Sequence, residues 1–228
     1  MNQMVTDPTL IVGAIVLIAI TVLALRKRGS ARVPSNIMEP GAWEIGPVMP
    51  DGENYSVGTP LHPLPHPQGW CIDIPGPNAE AGHVHYVTVP TDSLAGKTQI
   101  TLRCRFEMAD GDKLCPVHSP DSPSLLTLYF QRKEDDWSAQ GGFEAYRWYA
   151  SFGTQSDLRC GEYFLTARFD ANWTAILSSS RAANPTSFSD ALVDAGRVGF
   201  VLGGGDGLGH GVFATGPARL IVTSFKVD

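Results

Sequence analysis

Gln99-Ile-Thr-Leu-Arg-Cys-Arg-Phe-Glu-Met108 is the stretch whose reading decides the fold. Ile100, Leu102, Cys104, Phe106 and Met108 fall on every second position, with Thr101, Arg103, Arg105 and Glu107 between them. Extended chain points successive side chains to opposite faces, so this is a strand with one dry and one wet face. Such alternation belongs to antiparallel sheets that pack one side and solvate the other. Comparable runs are Trp70–Ile74, Val84–Val89, Leu125–Arg132, Ala145–Phe152, Tyr163–Asp170, Arg197–Leu202 and Ala218–Val227. Turn-forming groups separate them: Pro75-Gly-Pro77, Asp110-Gly-Asp112, Pro120-Asp-Ser-Pro123, Gly141-Gly142 and Gly203-Gly-Gly-Asp-Gly207. After residue 69 no convincing helical period occurs, although Phe188–Val193 has room for one turn. Eight or nine antiparallel strands at this spacing predict an all-β domain over 69–228, a two-sheet jelly-roll sandwich.

Upstream the texture changes. Gly29–Gln68 holds eight of the chain's 17 prolines, including Pro60-Leu-His-Pro-Leu-Pro-His-Pro67. This composition predicts extended, polyproline-like chain over 26–68. The segment also carries Trp43, Ile45, Met49 and Tyr55, large groups of little use to a disordered spacer. They are the expected anchors of a strap that lies along a partner protein.

Further upstream, Thr9–Leu25 is 17 residues without a charge, preceded by Thr6-Asp7-Pro8 and ended by Arg26-Lys27-Arg28. As a helix it would extend about 26 Å, close to the thickness of a bilayer core. A cleaved signal peptide would carry its positive charges ahead of the apolar run and small residues after it; here the order is reversed. The expectation is an uncleaved single-pass anchor in a bacterial inner membrane, with residues 1–8 as a short tail. Lys and Arg lie only on its C-terminal flank, which predicts an outer N-terminus and a cytoplasmic domain, a periplasmic domain being the second choice.

Bulk composition narrows the functional classes. The 228 residues carry a net charge of −6 and 18% charged residues, without the basic footprint of a nucleic-acid binder. Four cysteines, with no Cys-x-x-Cys, suit either two disulfides in an oxidising compartment or reduced thiols in a cytoplasmic one. With the domain in the cytoplasm they are expected reduced: Cys104 buried and slow to react, Cys115 and Cys160 in loops and faster.

Gly161-Glu-Tyr-Phe-Leu-Thr-Ala-Arg-Phe-Asp170, Trp173, Gly196–Gly203, Gly209-His-Gly-Val212 and Ala218–Val227 together resemble the second half of a concanavalin A-like jelly roll, the lectin/glucanase superfamily. The resemblance implies the sandwich already expected and two families of activity. Glucanases of this type place carboxylates as Glu-x-Asp-x-x-Glu or Glu-x-Asp-x-Glu on one strand, a pattern this chain lacks. Glu134-Asp135-Asp136 is consecutive, alternates in direction, and is expected at a solvated hairpin tip. No enzyme activity is therefore expected. Lectin-like binding would need exposed rings, for which Trp137, Trp148 and Tyr149 are the candidates, with Tyr129 and Trp173 behind them.

Other motifs are weaker. His83-x-His85 puts two imidazoles on one face of extended chain, but His62, His66, His118 and His210 offer no fixed spacing that completes a zinc site, so no metal or cofactor is expected. Asp110-Gly-Asp112 lacks the remaining positions of a calcium loop. Gly203–Gly211 lacks the Lys-Ser/Thr ending of a phosphate loop. Asn172-Trp-Thr174 fits a glycosylation triplet useful only outside the cell.

The order of parts is similar to that of the H subunit of purple-bacterial photosynthetic reaction centres: outer N-terminus, one helix, extended strap, cytoplasmic β-rich domain. The similarity is of layout and transfers no residue roles. It implies a non-catalytic accessory subunit that stabilises a larger membrane protein complex, a photosynthetic reaction centre or another energy-converting complex, with the lipid bilayer and integral membrane proteins as partners. The alternative is a membrane-tethered carbohydrate-binding module of the cell envelope.

Overall fold

The computed structural model describes residues 37–205 and 207–228. The predicted membrane helix at Thr9–Leu25, the tail before it and the basic stop lie outside the described residues. Among the described residues no helix is long and apolar enough to cross a membrane.

Among the described residues eleven strands form the two sheets of a β-sandwich, and two more pair beside them. A six-stranded antiparallel sheet has the order β1 (Glu44–Gly46), β4 (Tyr86–Pro90), β11 (Ala195–Gly204), β7 (Ser124–Arg132), β8 (Arg147–Ser156), β10 (Trp173–Ala175). A five-stranded antiparallel sheet has the order β2 (Leu64–His66), β3 (Gly69–Ile74), β13 (Ala218–Val227), β5 (Gln99–Met108), β9 (Gly161–Arg168). β6 (Leu114–Pro116) and β12 (Val212–Ala214) pair as a separate ribbon. Among the described residues one α-helix, α1, spans Pro185–Val193 and buries Phe188 and Ala191.

The strand that decided the reading keeps its register. Ile100, Leu102, Cys104 and Phe106 are buried, while Arg103 and Glu107 are exposed and Arg105 pairs with Glu107 on the outer side. β5 lies between β13 and β9, so its apolar face meets the inner face of the other sheet. Trp43, Trp70, Phe200 and Phe225 lock the layers at one end, with Trp43 centred 4.8 Å from Trp70 and 4.9 Å, edge-on, from Phe225. Phe130, Trp148, Phe169, Trp173 and Phe188 fill the other end. The position expected to allow one turn carries a nine-residue helix because Pro185 starts it and Phe188 seats it on Trp148 and Trp173.

The expected domain boundary at Gly69 moves upstream. The segment after Ile37 belongs to the sandwich and contributes a strand to each sheet. Glu44–Gly46 pairs with Tyr86–Thr88, and Leu64–His66 pairs with Gly69–Cys71. Proline-rich chain at sheet edges is physically reasonable, since an edge strand needs donors on one side only.

All four cysteines are free. Cys71, Cys104 and Cys115 are buried and Cys160 is exposed. Cys115 thus departs from its expected loop placement, because it sits on β6 against Phe213 of β12. Burial pushes the Cys104 thiol up to about 12 and raises those of Cys71 and Cys115. Only thiolate reacts with alkylating reagents. Brief iodoacetamide treatment of the native protein should therefore label Cys160 alone, and treatment after denaturation should label all four. Rapid native labelling of Cys115, read by peptide mass spectrometry, would contradict this packing.

Candidate functional site

Two surfaces carry chemistry beyond the core. The first is the outer face of the six-stranded sheet. Strand pairing sets Tyr129 opposite Tyr149 and Val201 opposite Tyr86, and alternation turns all four away from Phe130, Trp148 and Phe200. They form a second buried cluster with half-buried Trp137, Ile176 and Leu208 packed on it. Tyr86 and Tyr149 share a hydroxyl hydrogen bond of 2.7 Å, and the Tyr129 hydroxyl donates to Gln131 Oε1 at 2.7 Å. Burial raises all three phenols above their ordinary range, so they stay protonated.

The connection between β7 and β8 folds over this face. Trp137 sits edge-on to Tyr86 at 5.1 Å, and the Arg147 guanidinium lies 5.0 Å from the Trp137 ring centre. Arg147 Nε is 3.0 Å from Asp135 Oδ2, with side-chain exposures of 7% and 0%. Arg147 Nη2 also donates to the Trp137 carbonyl at 3.0 Å. Burial raises the Asp135 carboxyl above its ordinary value, and the Arg147 charge offsets part of that rise. The triplet Glu134-Asp135-Asp136 is therefore no solvated hairpin tip throughout. Its central carboxylate is drawn inward by a buried guanidinium, a pairing that spacing alone does not reveal.

On the other side of the cluster, the Gly203–Gly211 connection returns across the sheet end. Gly204 and Gly207 exchange backbone hydrogen bonds, which closes the turn. Gly209 passes so close to Tyr86 that a Cβ there would lie 2.4 Å from the phenol oxygen. Between this turn and β10 is a cleft of about 270 Å³, reached by Tyr149, Thr174, Ile176, Ser178, Leu208 and His210.

The expected ring platform is not displayed. Trp148 is fully buried between the sheets against Phe188, and Tyr129 and Trp173 are likewise fully buried. Tyr149 is 3% exposed, and Trp137 is half-buried in a role as cover. Of these candidates only Tyr149 borders the cleft. Asp110-Gly-Asp112 is a turn, with the Asp112 carboxylate accepting from Thr215. Thr174, of the glycosylation triplet, lies on β10 and bonds Ser151.

The second surface is the flank formed by residues 44–66. Trp43 and Ile45 were expected to anchor a partner; both are fully buried in this domain's own core. The Trp43 indole N–H donates to the Ile37 carbonyl at 2.6 Å. Met49 is half-buried in a tight turn, its N–H bonded to the Glu53 carbonyl. Residues 54–61 cover the open edge of β1: Ile45 N–H donates to Leu61 O, Asn54 Nδ2 to Ile45 O, and Ser56 Oγ to Gly46 O. Covering an edge blocks unwanted strand pairing. It leaves Tyr55, Val57, Leu61 and Leu64 facing outward at 43–44% exposure.

Comparison with protein-family models, with curated proteins and with solved structures finds no match to this chain.

Proposed function

We propose that this chain is a non-catalytic, membrane-anchored accessory subunit that stabilises a larger membrane protein complex, with a photosynthetic reaction centre or another energy-converting complex as the most specific partner class. The observation supporting this reading is the ridge of Tyr55, Val57, Leu61 and Leu64, four large apolar side chains exposed within ten residues. Large apolar side chains left exposed along one short segment suit an interaction site. The ridge rests on a covered sheet edge, so binding it costs little chain ordering. The apolar run at Thr9–Leu25, read as an anchor, would raise the effective concentration of the ridge at a membrane partner. The charge asymmetry around that run supports a cytoplasmic domain.

The test is co-purification after mild detergent extraction. Replacing Tyr55, Val57 and Leu61 together by Ser should weaken capture of the partner complex by about a hundredfold or more, taking about 1 kcal/mol or more per anchor. The melting temperature of the domain should hardly change. Capture at wild-type level would remove the ridge from the function.

A membrane-tethered glycan-binding module of the cell envelope is the second reading, favoured by the cleft beside Tyr149 with its hydroxyls from Thr174 and Ser178. The finer assignment of the sandwich to the concanavalin A-like jelly rolls belongs with it. Compartment separates the readings: alkaline phosphatase fused to the C-terminus should be inactive for the accessory subunit and active for the envelope lectin.

A further inference from the structure

Four imidazoles meet at one end of the six-stranded sheet, from the segment leading into β4, the turn after β6 and the glycine-rich connection. His83 and His85 have ring centres 4.8 Å apart with planes at 64°, and His118 and His210 have theirs 5.7 Å apart at 85°. His85 also feels the charges of His83, His210 and His118, which makes the four one neighbourhood.

The first pair is oriented as metal-binding histidines are. His83 Nδ1 faces the Ala79 carbonyl at 3.0 Å, and His85 Nδ1 faces the Gly209 carbonyl at 3.0 Å. A carbonyl can only accept, so in both rings Nδ1 carries the hydrogen and Nε2 keeps its lone pair. A backbone carbonyl on one ring nitrogen is the usual support of an imidazole that ligates through the other. His85 Nε2 is buried and has no hydrogen-bond partner, in a residue only 9% exposed. The backbone beside the ring is Gly211, at φ +83°; a Cβ there would lie 2.6, 2.7 and 2.9 Å from Nε2, Cδ2 and Cε1, so only glycine leaves room for the imidazole. Two imidazoles on one tetrahedral ion, each bonded at about 2.0–2.1 Å, have ring centres about 5 Å apart. The observed 4.8 Å fits that spacing.

We propose that His83 and His85 form a two-imidazole site for a divalent transition metal, with copper, nickel or zinc as the fitting ions. Among the described residues no three His, Cys, Asp or Glu side chains already surround one point. The site is therefore bidentate in this conformation, with water for the remaining positions. Imidazole nitrogen suits all three ions, and the divalent series favours copper. The site adjoins the apolar ridge, since Val57 and His83 exchange backbone hydrogen bonds and the Tyr55 ring centre lies 6.4 Å from that of His85, but metal binding and partner capture are read by separate experiments.

The test uses full-length, detergent-solubilised protein titrated calorimetrically with Cu²⁺, Ni²⁺ and Zn²⁺. One equivalent should bind, and the copper complex should show nitrogen ligation in its electron paramagnetic resonance spectrum. His83→Gln, at a half-buried position, should weaken binding at least tenfold without changing the melting temperature. His66→Gln, in β2, should leave binding unchanged. Absence of binding, oxygen-only ligation, or equal affinity in wild type and His83→Gln would overturn the proposal.

Discussion

Trp43→Ala should lower the stability of the domain by about 3–5 kcal/mol, the range for removing a large aromatic from a packed core. The side chain is fully buried and contacts Trp70, Phe200 and Phe225, so truncation would open a cavity where the two sheets meet. It would also release the Ile37 carbonyl from its indole N–H. In a domain of this length each kcal/mol moves the melting temperature by about 2–4 °C, so a fall on the order of 10 °C is expected by circular dichroism. Tyr55→Ala, twelve residues on, should leave the melt almost unmoved because its ring is 43% exposed. The pair of variants distinguishes two roles within one proline-rich segment: Trp43 builds the fold, while Tyr55 is available to a partner. A Trp43→Ala protein that melts like wild type would show that Ile37–Gly46 is not part of the folded unit.

That contrast shows how far the sequence carries. Gln99–Met108 and Ala218–Val227 are strands with the same bounds in structure as in sequence, since long alternation is a strong signal. Glu44–Gly46 and Leu64–His66 were hidden because three residues cannot show a period, and because flanking prolines suggest extended linker. Apolar residues in such a segment have two possible destinations, a partner's surface or the chain's own core. Composition does not choose between them; the rings waiting at Trp70 and Phe225 do. The same ambiguity affected the aromatics. Within β8, Trp148 and Tyr149 are adjacent, so alternation sends one into the main core and the other to the outer face. Even that outer face is covered, because the β7–β8 connection folds Trp137 back over it. The His83–His85 pair was legible as a spacing, whereas the carbonyls that orient the two rings come from Ala79 and the distant Gly209.

Asp135→Ala should be nearly as damaging as the loss of Trp43, though its position among consecutive acids suggests an ordinary surface residue. Its carboxylate has no exposed side-chain surface and lies 3.0 Å from Arg147, itself nearly enclosed by Trp137 and the tyrosine cluster. Removing the acid leaves a guanidinium that cannot lose its proton in a site with little water to solvate it. Breaking a buried pair from one side costs about 3–5 kcal/mol. Part of that cost would appear as displacement of the β7–β8 connection, because Arg147 also holds the Trp137 carbonyl. Trp137 has a left-handed backbone at φ 65°, as do Glu134 at 58° and Ala139 at 54°, so this connection depends on its contacts to stay in place. Tryptophan fluorescence should therefore shift to the red in Asp135→Ala, ahead of the thermal transition. Replacing both partners, as Asp135→Leu with Arg147→Met, should recover much of the stability, since the desolvation of two charges disappears along with their attraction. The exposed Arg168–Asp170 pair provides the control, and breaking it should leave the melt unchanged. A double-mutant cycle over Asp135 and Arg147 measures the coupling directly. If the two single losses simply add, the ion pair is not what holds Trp137 on Tyr86, and the packing of the indole against the sheet is sufficient by itself.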